Sequence, residues 1–531
     1  MDSTLDMASV RKSAQFISAA CLWATLAPSA VAGQDLQASC NSWLQRADIK
    51  YSKIGLEVME MPGGKILYDN NGMKRFTPAS TAKVLTTSCA YDLFGPDYTF
   101  STKLSTTGSV VGNVLKGDLY VEASQDPTLS RDDLNRLIGD LASTSHIAEI
   151  DGKVILTYPA EGRENFVVSW LAEDFGQDWM PVSSSLVVDR NIAFSSGFPK
   201  HLRAIEPRVH NLSILDSLIS SGIGSSWIAL DGATNVLSVS RGMAFGASGK
   251  PDSSIKREGP FVVANPDVYN LALIHDALIN NHIKCSNPVI LPNALAGKEN
   301  RTVLAEHKSK PLAQIVRYCL YESDNLYAQQ LLRLIGIGPA GEAGATSGRV
   351  SRRLEYTSLE ERGLNRLGEW LSSVGVPGRE VVLFDGCGLS RKDCLTPHAL
   401  NLVLRHMALT KQDNGYLELL KASGDKGSVF RFKTGAMDTV RGISGLLTNN
   451  YGQTSAVTVL INGHTPSVKE LRMAIADLIE RLRQAPLPKP KGPGKGEGDP
   501  AAAMAATVPQ ADKESKAAPA NSVHKRHRHR R

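Results

Sequence analysis

The sequence predicts an α+β protein in which an antiparallel sheet flanked by helices is interrupted by a large β-rich insertion. Three observations carry this. Two apolar runs, Gly442–Leu447 and Ser455–Ile461, flank Asn449-Asn450-Tyr451-Gly452, the composition of a turn between adjacent antiparallel strands. Stretches with apolar residues at helical intervals stand at Ser80–Phe94, Pro311–Ile335 and Ser467–Leu482. Between the first two, residues 101–300 break into short β-like runs separated by Gly, Pro and Asn. A chain of 531 residues exceeds one ordinary core, so two or three domains are expected.

Taken in order, the chain opens with Arg11 and Lys12 before the apolar run Phe16–Leu26, and Ala30-Val31-Ala32 offers small residues for cleavage. That reads as an export signal over residues 1–32. The run is too short to span a bilayer, and no later segment supplies the roughly 20 apolar residues that spanning needs. A soluble exported protein is expected. Ile54–Met59 and Lys65–Tyr68 read as strands around the turn Met61-Pro62-Gly63-Gly64. Pro78-Ala79-Ser80 then forms a helix entrance, with Ser80 on the first turn and Lys83 one turn later on the same face.

Inside the insertion, Val114–Val121, Gly152–Leu156, Leu186–Ile192 and Thr234–Val239 are predicted strands, and Pro266–Ile283 a helix. In Pro311–Ile335 the helical pattern has one polar break, Glu322-Ser323-Asp324-Asn325. A helix over Thr357–Val374 is weakened by Gly363 and Gly368. The strand Val381–Phe384 leads into a Gly-rich turn from Asp385 to Arg391. The resulting layout is a signal at 1–32, a first segment of the sheet-and-helix unit at 33–97, inserted domains at 98–305, a second segment of that unit at 306–484 and a tail at 485–531.

The charge is concentrated in that tail. From Ala485 onward there are ten Lys/Arg and four Asp/Glu, which equals the whole-chain net charge of +6. The tail lacks the apolar periodicity needed to pack, so disorder is expected, with its basic end available to an anionic envelope surface. Nucleic acid is not an expected partner, because the main body has no basic excess. Cys40, Cys89, Cys285, Cys319, Cys387 and Cys394 remain after the signal. In an oxidising compartment they allow three disulfides in about 15 pairings, with the near neighbours Cys387 and Cys394 the expected pair. No Cys/His cluster has structural-zinc spacing, so neither metal nor other cofactor is expected.

Ser80-Thr81-Ala82-Lys83, Ser323-Asp324-Asn325 and Lys433-Thr434-Gly435 occur in that order. Each is weak alone: Ser253 to Lys256 repeats the first pattern in a loop-like context, and Ser39-Cys40-Asn41 repeats the second. The ordered set describes a serine acyl-transfer site of the penicillin-binding class. Lys83 can serve as base to Ser80 if burial and nearby cations lower its pKa. Ser323 is placed to relay a proton, and Asn325 to bind a substrate amide while accepting from a lysine. Lys433 and Thr434 suit a substrate carboxylate, and Gly435 permits close approach. The N–H groups of Ser80 and Ala436 are the expected oxyanion hole.

With these motifs the chain resembles the D-Ala-D-Ala carboxypeptidase/endopeptidase family, peptidase S13, the class C low-molecular-mass penicillin-binding proteins. The resemblance covers roughly residues 45–484, and the 243 residues from Ser80 to Ser323 leave room for the family's large insertion. It extends to FTPASTAKVLTT, LFGPDYTFST, GDLYVEASQDPTL, VVDRN, ESDNLYAQQLLRLIG and DGCGLSRKDCLTP. It implies a penicillin-binding transpeptidase-like domain whose inserted domain itself holds a third. It also implies peptidoglycan stem peptides as substrates and β-lactams as covalent inhibitors. The alternatives are a β-lactamase or esterase with the same site, or a catalytically silent envelope-binding protein. The chain departs from the family pattern at Glu122–Gln125, at Cys387 and Asp393, and in the short approach from Gly427 to Lys433. It has Thr157 where an acidic residue often meets the substrate's diamino acid.

Overall fold

A computed structural model describes residues 35–488, apart from 158–166, 197–203, 207–212, 220–226, 232–235, 243–260, 291–299, 340–357 and 411–414 and positions 168, 181, 288 and 426. The export signal, the second Ser-x-x-Lys at Ser253 and the tail beyond residue 488 lie outside the described residues.

The central sheet is antiparallel, with strands in the order Ile66–Asn70, Lys53–Glu60, Thr454–Asn462, Val440–Thr448, Ser428–Met437 and Lys421–Asp425. Both its faces are covered, which explains why its strands read as nearly continuous apolar runs. Along Lys53–Glu60, Leu56 and Val58 join a core with Trp43, Leu471 and Leu478 of the helices Leu36–Leu44 and Val468–Gln484. Met59, pointing the other way, packs with Leu402 of the helix Pro397–Leu409. The closing helix begins at a capping box, in which Ser467 and Glu470 satisfy each other's backbone N–H groups.

The helix Lys83–Phe94 lies in the middle of the catalytic unit, and every residue from Lys83 to Tyr91 is buried. It packs on the helices Leu312–Glu322, Asn325–Ile337 and Leu359–Ser373. Gly363, a weak point for a helix on sequence grounds, proves necessary where two helices touch. A Cβ on it would stand 2.2 Å from the Leu332 carbonyl oxygen, and one on Gly336 would stand 2.2 Å from that of Leu359.

Residues 101–308 build three further sheets and the helices Arg131–Ser143 and Pro266–Asn280. They share an apolar core with no member from the catalytic segments. Two predicted strands are corrected. Val114–Val121 splits at Gly117 (φ 137°) into Val114–Lys116 and Leu119–Glu122, which join different sheets. Leu186–Ile192 is irregular, and the strand there is Ile192–Ser196. Asp189, Arg190 and Asn191 take φ of 47°, 61° and 52°, and successive left-handed residues cannot continue a ladder. The predicted strand Val381–Phe384 is likewise only Val381–Val382, because the Phe384 N–H turns to Asp393 at 2.7 Å.

All six cysteines after the signal are free thiols, which corrects the expected disulfides and the Cys387–Cys394 pair in particular. Cys387 is fully buried, in a turn wound around Asp385, which accepts its N–H at 2.9 Å. Cys394 instead pairs in a short strand with Val382.

Candidate active site

Ser80 stands in a single 3-10 turn, Ala79–Ala82, that runs directly into the helix Lys83–Phe94. The turn is held from both sides. Phe76, just before it, exchanges two backbone hydrogen bonds with Leu395. Ala79 takes a left-handed φ of 49°, a conformation that costs a non-glycine residue roughly 1–2 kcal/mol. Gly388 lies so close that a Cβ on it would stand 2.0 Å from the Ala79 carbonyl oxygen. On the other side, a Cβ on Gly435 would meet the Pro78 carbonyl oxygen at 2.6 Å. Ser80 is thus wedged between the Gly-rich turn and the Lys433-Thr434-Gly435 strand.

Lys83 is fully buried. Its Nζ lies 2.9 Å from Ser80 Oγ, 2.6 Å from Asn325 Oδ1 and 2.7 Å from the Cys387 carbonyl oxygen. The Asn325 amide is oriented by its other end, since Nδ2 donates to the Trp179 carbonyl at 2.6 Å. Two of the three partners of Lys83 can therefore only accept. A neutral amine gives its two N–H groups to them, and its lone pair is left facing the one partner that carries a proton, the Ser80 hydroxyl.

Ser323 ends the helix Leu312–Glu322 with a left-handed φ of 58°. Asp324 caps the next helix, accepting from the Tyr327 N–H at 3.0 Å, and Asn325 is that helix's first residue. The polar break in the helical pattern is this turn. Lys433 reaches it from the sheet, donating to Ser323 Oγ at 2.8 Å and to the Thr434 carbonyl at 2.7 Å. Burial, with the positive charge of Lys83 second, holds the Lys433 ammonium well below the ordinary lysine range. Thr434 and Ala436 are exposed on the same strand.

A model of the D-Ala-D-Ala carboxypeptidase 3 (S13) family matches residues 36–482. The chain belongs to that family. It is a serine-type D-Ala-D-Ala carboxypeptidase of peptidoglycan. A D-alanyl-D-alanine carboxypeptidase of Actinomadura sp. is 24% identical over 472 residues, which cover 83% of this chain and 84% of that protein. The carboxypeptidase DacB of Haemophilus influenzae is 23% identical over 450 residues, 81% of this chain and 89% of that one. The crystal structure of penicillin binding protein 4 from the same organism superposes with a TM-score of 0.66 at 22% identity, covering 83% of this chain and 98% of that one. The penicillin-binding fold with β-rich additional domains is thereby shared.

Sequence reasoning missed several groups around the S13 motifs. Asp385 holds the Gly-rich turn, accepting from the N–H groups of Cys387, Gly388 and Ser390 and from Trp170 Nε1, all within 2.9 Å. The turn was recognisable; its role in offering a carbonyl to Lys83 was not, because a backbone ligand leaves no residue-type signature. Trp170, Trp179 and Arg190 reach the site from the insertion; nothing local marks the two tryptophans, and Arg190 lies in the VVDRN segment of the resemblance, which gave it no role. Thr157 ends its strand buried, donating to the Val121 carbonyl at 3.4 Å.

Proposed function

We propose that Ser80 is the nucleophile of this S13 peptidase and Lys83 its base. Ser80 Oγ attacks the carbonyl of the penultimate D-Ala, giving its proton to the Lys83 amine. The tetrahedral oxyanion faces the N–H groups of Ser80 and Ala436. As the C–N bond breaks, a proton passes from Lys83 through Ser323 to the departing amine, leaving an ester on Ser80. Water hydrolyses the ester and restores the hydroxyl. Asn325 and Gly435 flank the acyl side, and Lys433 with Thr434 receives the carboxylate. The observation that carries this reading is the three-partner setting of Lys83, in which Ser80 is the only proton donor.

An apolar core running from Leu104 to Ile283, with no member from 33–97 or 306–484, supports the division into catalytic segments there around inserted domains at 98–305, while Phe100, Trp170 and Met180 of the insertion pack into the catalytic core. Action on peptidoglycan peptides places the mature chain in the periplasm. Among the described residues no helix is long and apolar enough to cross a membrane. The basic tail gives a peripheral hold on an anionic envelope surface; unchanged sedimentation with sacculi and membranes after deletion of 485–531 would sink that part.

Intact-mass spectrometry of the mature chain with benzylpenicillin, beside Ser80→Ala, tests the assignment. A stable one-to-one adduct on the wild type alone is expected. An adduct on both proteins would move the nucleophile elsewhere. Rapid penicillin loss without an adduct would indicate a β-lactamase, and neither adduct nor loss a silent binding protein.

A further inference from the structure

The turn that carries Ser323 and Asn325 is held from outside the catalytic segments. Asp324, its middle residue, is buried, with its side chain 2% exposed. One of its oxygens caps the helix Asn325–Ile337 through the Tyr327 N–H, and the other pairs with the guanidinium of Arg190. Arg190 belongs to the insertion and also faces the carboxylate of Asp178, with the rings of Tyr318 and Tyr327 close by.

Arg190 is held in this position by unusual backbone. It is the middle of three consecutive left-handed residues, Asp189, Arg190 and Asn191, each unfavourable for a residue with a Cβ. Their neighbours hold them there. Asp189 accepts from the Arg131 N–H at 3.2 Å and donates its own N–H to the Leu129 carbonyl at 3.0 Å. Asn191, 3% exposed, donates to the Val182 carbonyl at 2.8 Å and to Ser184 Oγ at 3.0 Å. The insertion touches the next motif residue as well, through the Trp179 carbonyl on Asn325.

We infer that Arg190 is a positioning residue for acyl transfer: from the inserted domain it fixes Asp324, and through Asp324 the placement of Ser323 and Asn325 against the two catalytic lysines. The inference rests on the proposed roles of Ser80, Lys83, Ser323 and Asn325. Without Arg190, the buried Asp324 carboxylate loses its ion-pair partner. It then turns toward water, and the turn that presents Ser323 to Lys433 and Asn325 to Lys83 loosens. A seated insertion is thus a condition for fast acylation.

The test is stopped-flow acylation by benzylpenicillin, together with the fraction of molecules that acylate, in wild type, Arg190→Ala, Arg190→Lys, Asp324→Asn and Arg190→Ala/Asp324→Asn. Asn still caps a helix, so Asp324→Asn removes the charge and keeps the cap. The expected result is an acylation rate constant at least 10-fold lower in Arg190→Ala at full stoichiometry, recovered to within about 3-fold by Arg190→Lys. Asp324→Asn should slow acylation similarly, and the double variant should be no slower than Arg190→Ala. A purely structural role would instead lower the acylating fraction and leave the rate constant of the remainder at the wild-type value, which would overturn the inference. So would effects of the two substitutions that multiply. Failure of the underlying reading is seen separately, as wild-type chain that forms no adduct or Ser80→Ala that does.

Discussion

Lys83 donates to the carbonyl of Cys387 at 2.7 Å, across 304 residues of sequence. The bond ties the proposed base to a turn whose shape depends on one carboxylate, Asp385, which takes four donors from the turn and from Trp170. An aspartate can accept all four, whereas an asparagine sets its NH2 against two of them. Asp385→Asn is therefore expected to cost about 2–3 kcal/mol of stability and to slow acylation at least 10-fold. Urea unfolding and penicillin kinetics measure the two effects. Wild-type acylation in a destabilised variant would show that the Cys387 carbonyl keeps its place without Asp385.

Gly435 and Gly388 make contacts that no side chain permits. A methyl group on Gly388 would lie 2.0 Å from the Ala79 carbonyl oxygen and one on Gly435 2.6 Å from that of Pro78. Both obstacles are backbone, and Gly388 also has a φ of 79°. Alanine at either position has to push the Ser80 turn away from the base or from the sheet strand. We expect each variant to acylate at least 100-fold more slowly, with circular dichroism unchanged for Gly435→Ala. Acylation within 5-fold of wild type would mean that the turn gives way without losing its geometry.

The three motifs were legible because they stand in order at a helix entrance, a break between helices and a strand, although each is built of common residues and is weak alone. The sheet was legible at its C-terminal half, where Lys433 pairs with Ser444 and Ser444 with Thr458 through local hairpins. What local pattern could not supply was long-range. The third partner of Lys83 is a carbonyl, and Arg190 meets Asp324 from a part of the chain with no matching periodicity. The left-handed run at Asp189–Asn191 likewise defeated the strand prediction, since Leu186–Val188 is apolar enough to resemble a strand. The disulfide prediction failed for a related reason. Six residues separate Cys387 from Cys394, and the chain between them winds around Asp385 instead of bringing the sulfurs together.

Asn325 Nδ2 donates to the Trp179 carbonyl at 2.6 Å, and the proposed role of Asn325 needs that donor for the substrate amide. Nδ2 carries a second hydrogen for the substrate amide, so a bound substrate packs beside the Trp179 carbonyl. Trp179 is 41% exposed, and a ligand seated there changes the surroundings of its ring. Acylation by benzylpenicillin should alter the tryptophan emission of the wild type. Trp179→Phe, which keeps the carbonyl, should acylate within about 3-fold of wild type and lose that signal. An unchanged spectrum in acylated wild type would mean that the ligand leaves the surroundings of Trp179 as they were, and a full signal in Trp179→Phe would locate the change at another tryptophan.

Lys433 gives a test in which pH separates charge from shape. Burial, reinforced by Lys83, holds its ammonium well below the ordinary lysine range in the folded chain, while an unfolded lysine titrates near about 10.4. Between those two values the unfolded chain holds a proton that the native chain lacks. Stability attributable to Lys433 therefore rises with pH across that window, and the full penalty for charging it is present below its folded value. Lys433→Met keeps the length of the side chain and removes the titration. The stability difference, wild type minus Lys433→Met, should accordingly become more favourable to the wild type from neutral pH toward 10. Titrating groups remote from Lys433 contribute equally to both proteins and cancel in the difference. The same variant should lose at least 100-fold in acylation, since Ser323 loses its 2.8 Å donor and the substrate carboxylate its cation. Urea unfolding of both proteins at half-unit pH intervals provides the measurement. A difference that stays flat would mean that the Lys433 ammonium titrates as an ordinary lysine in the folded chain, and one that falls as pH rises would mean that the fold holds its proton more tightly than the unfolded chain does.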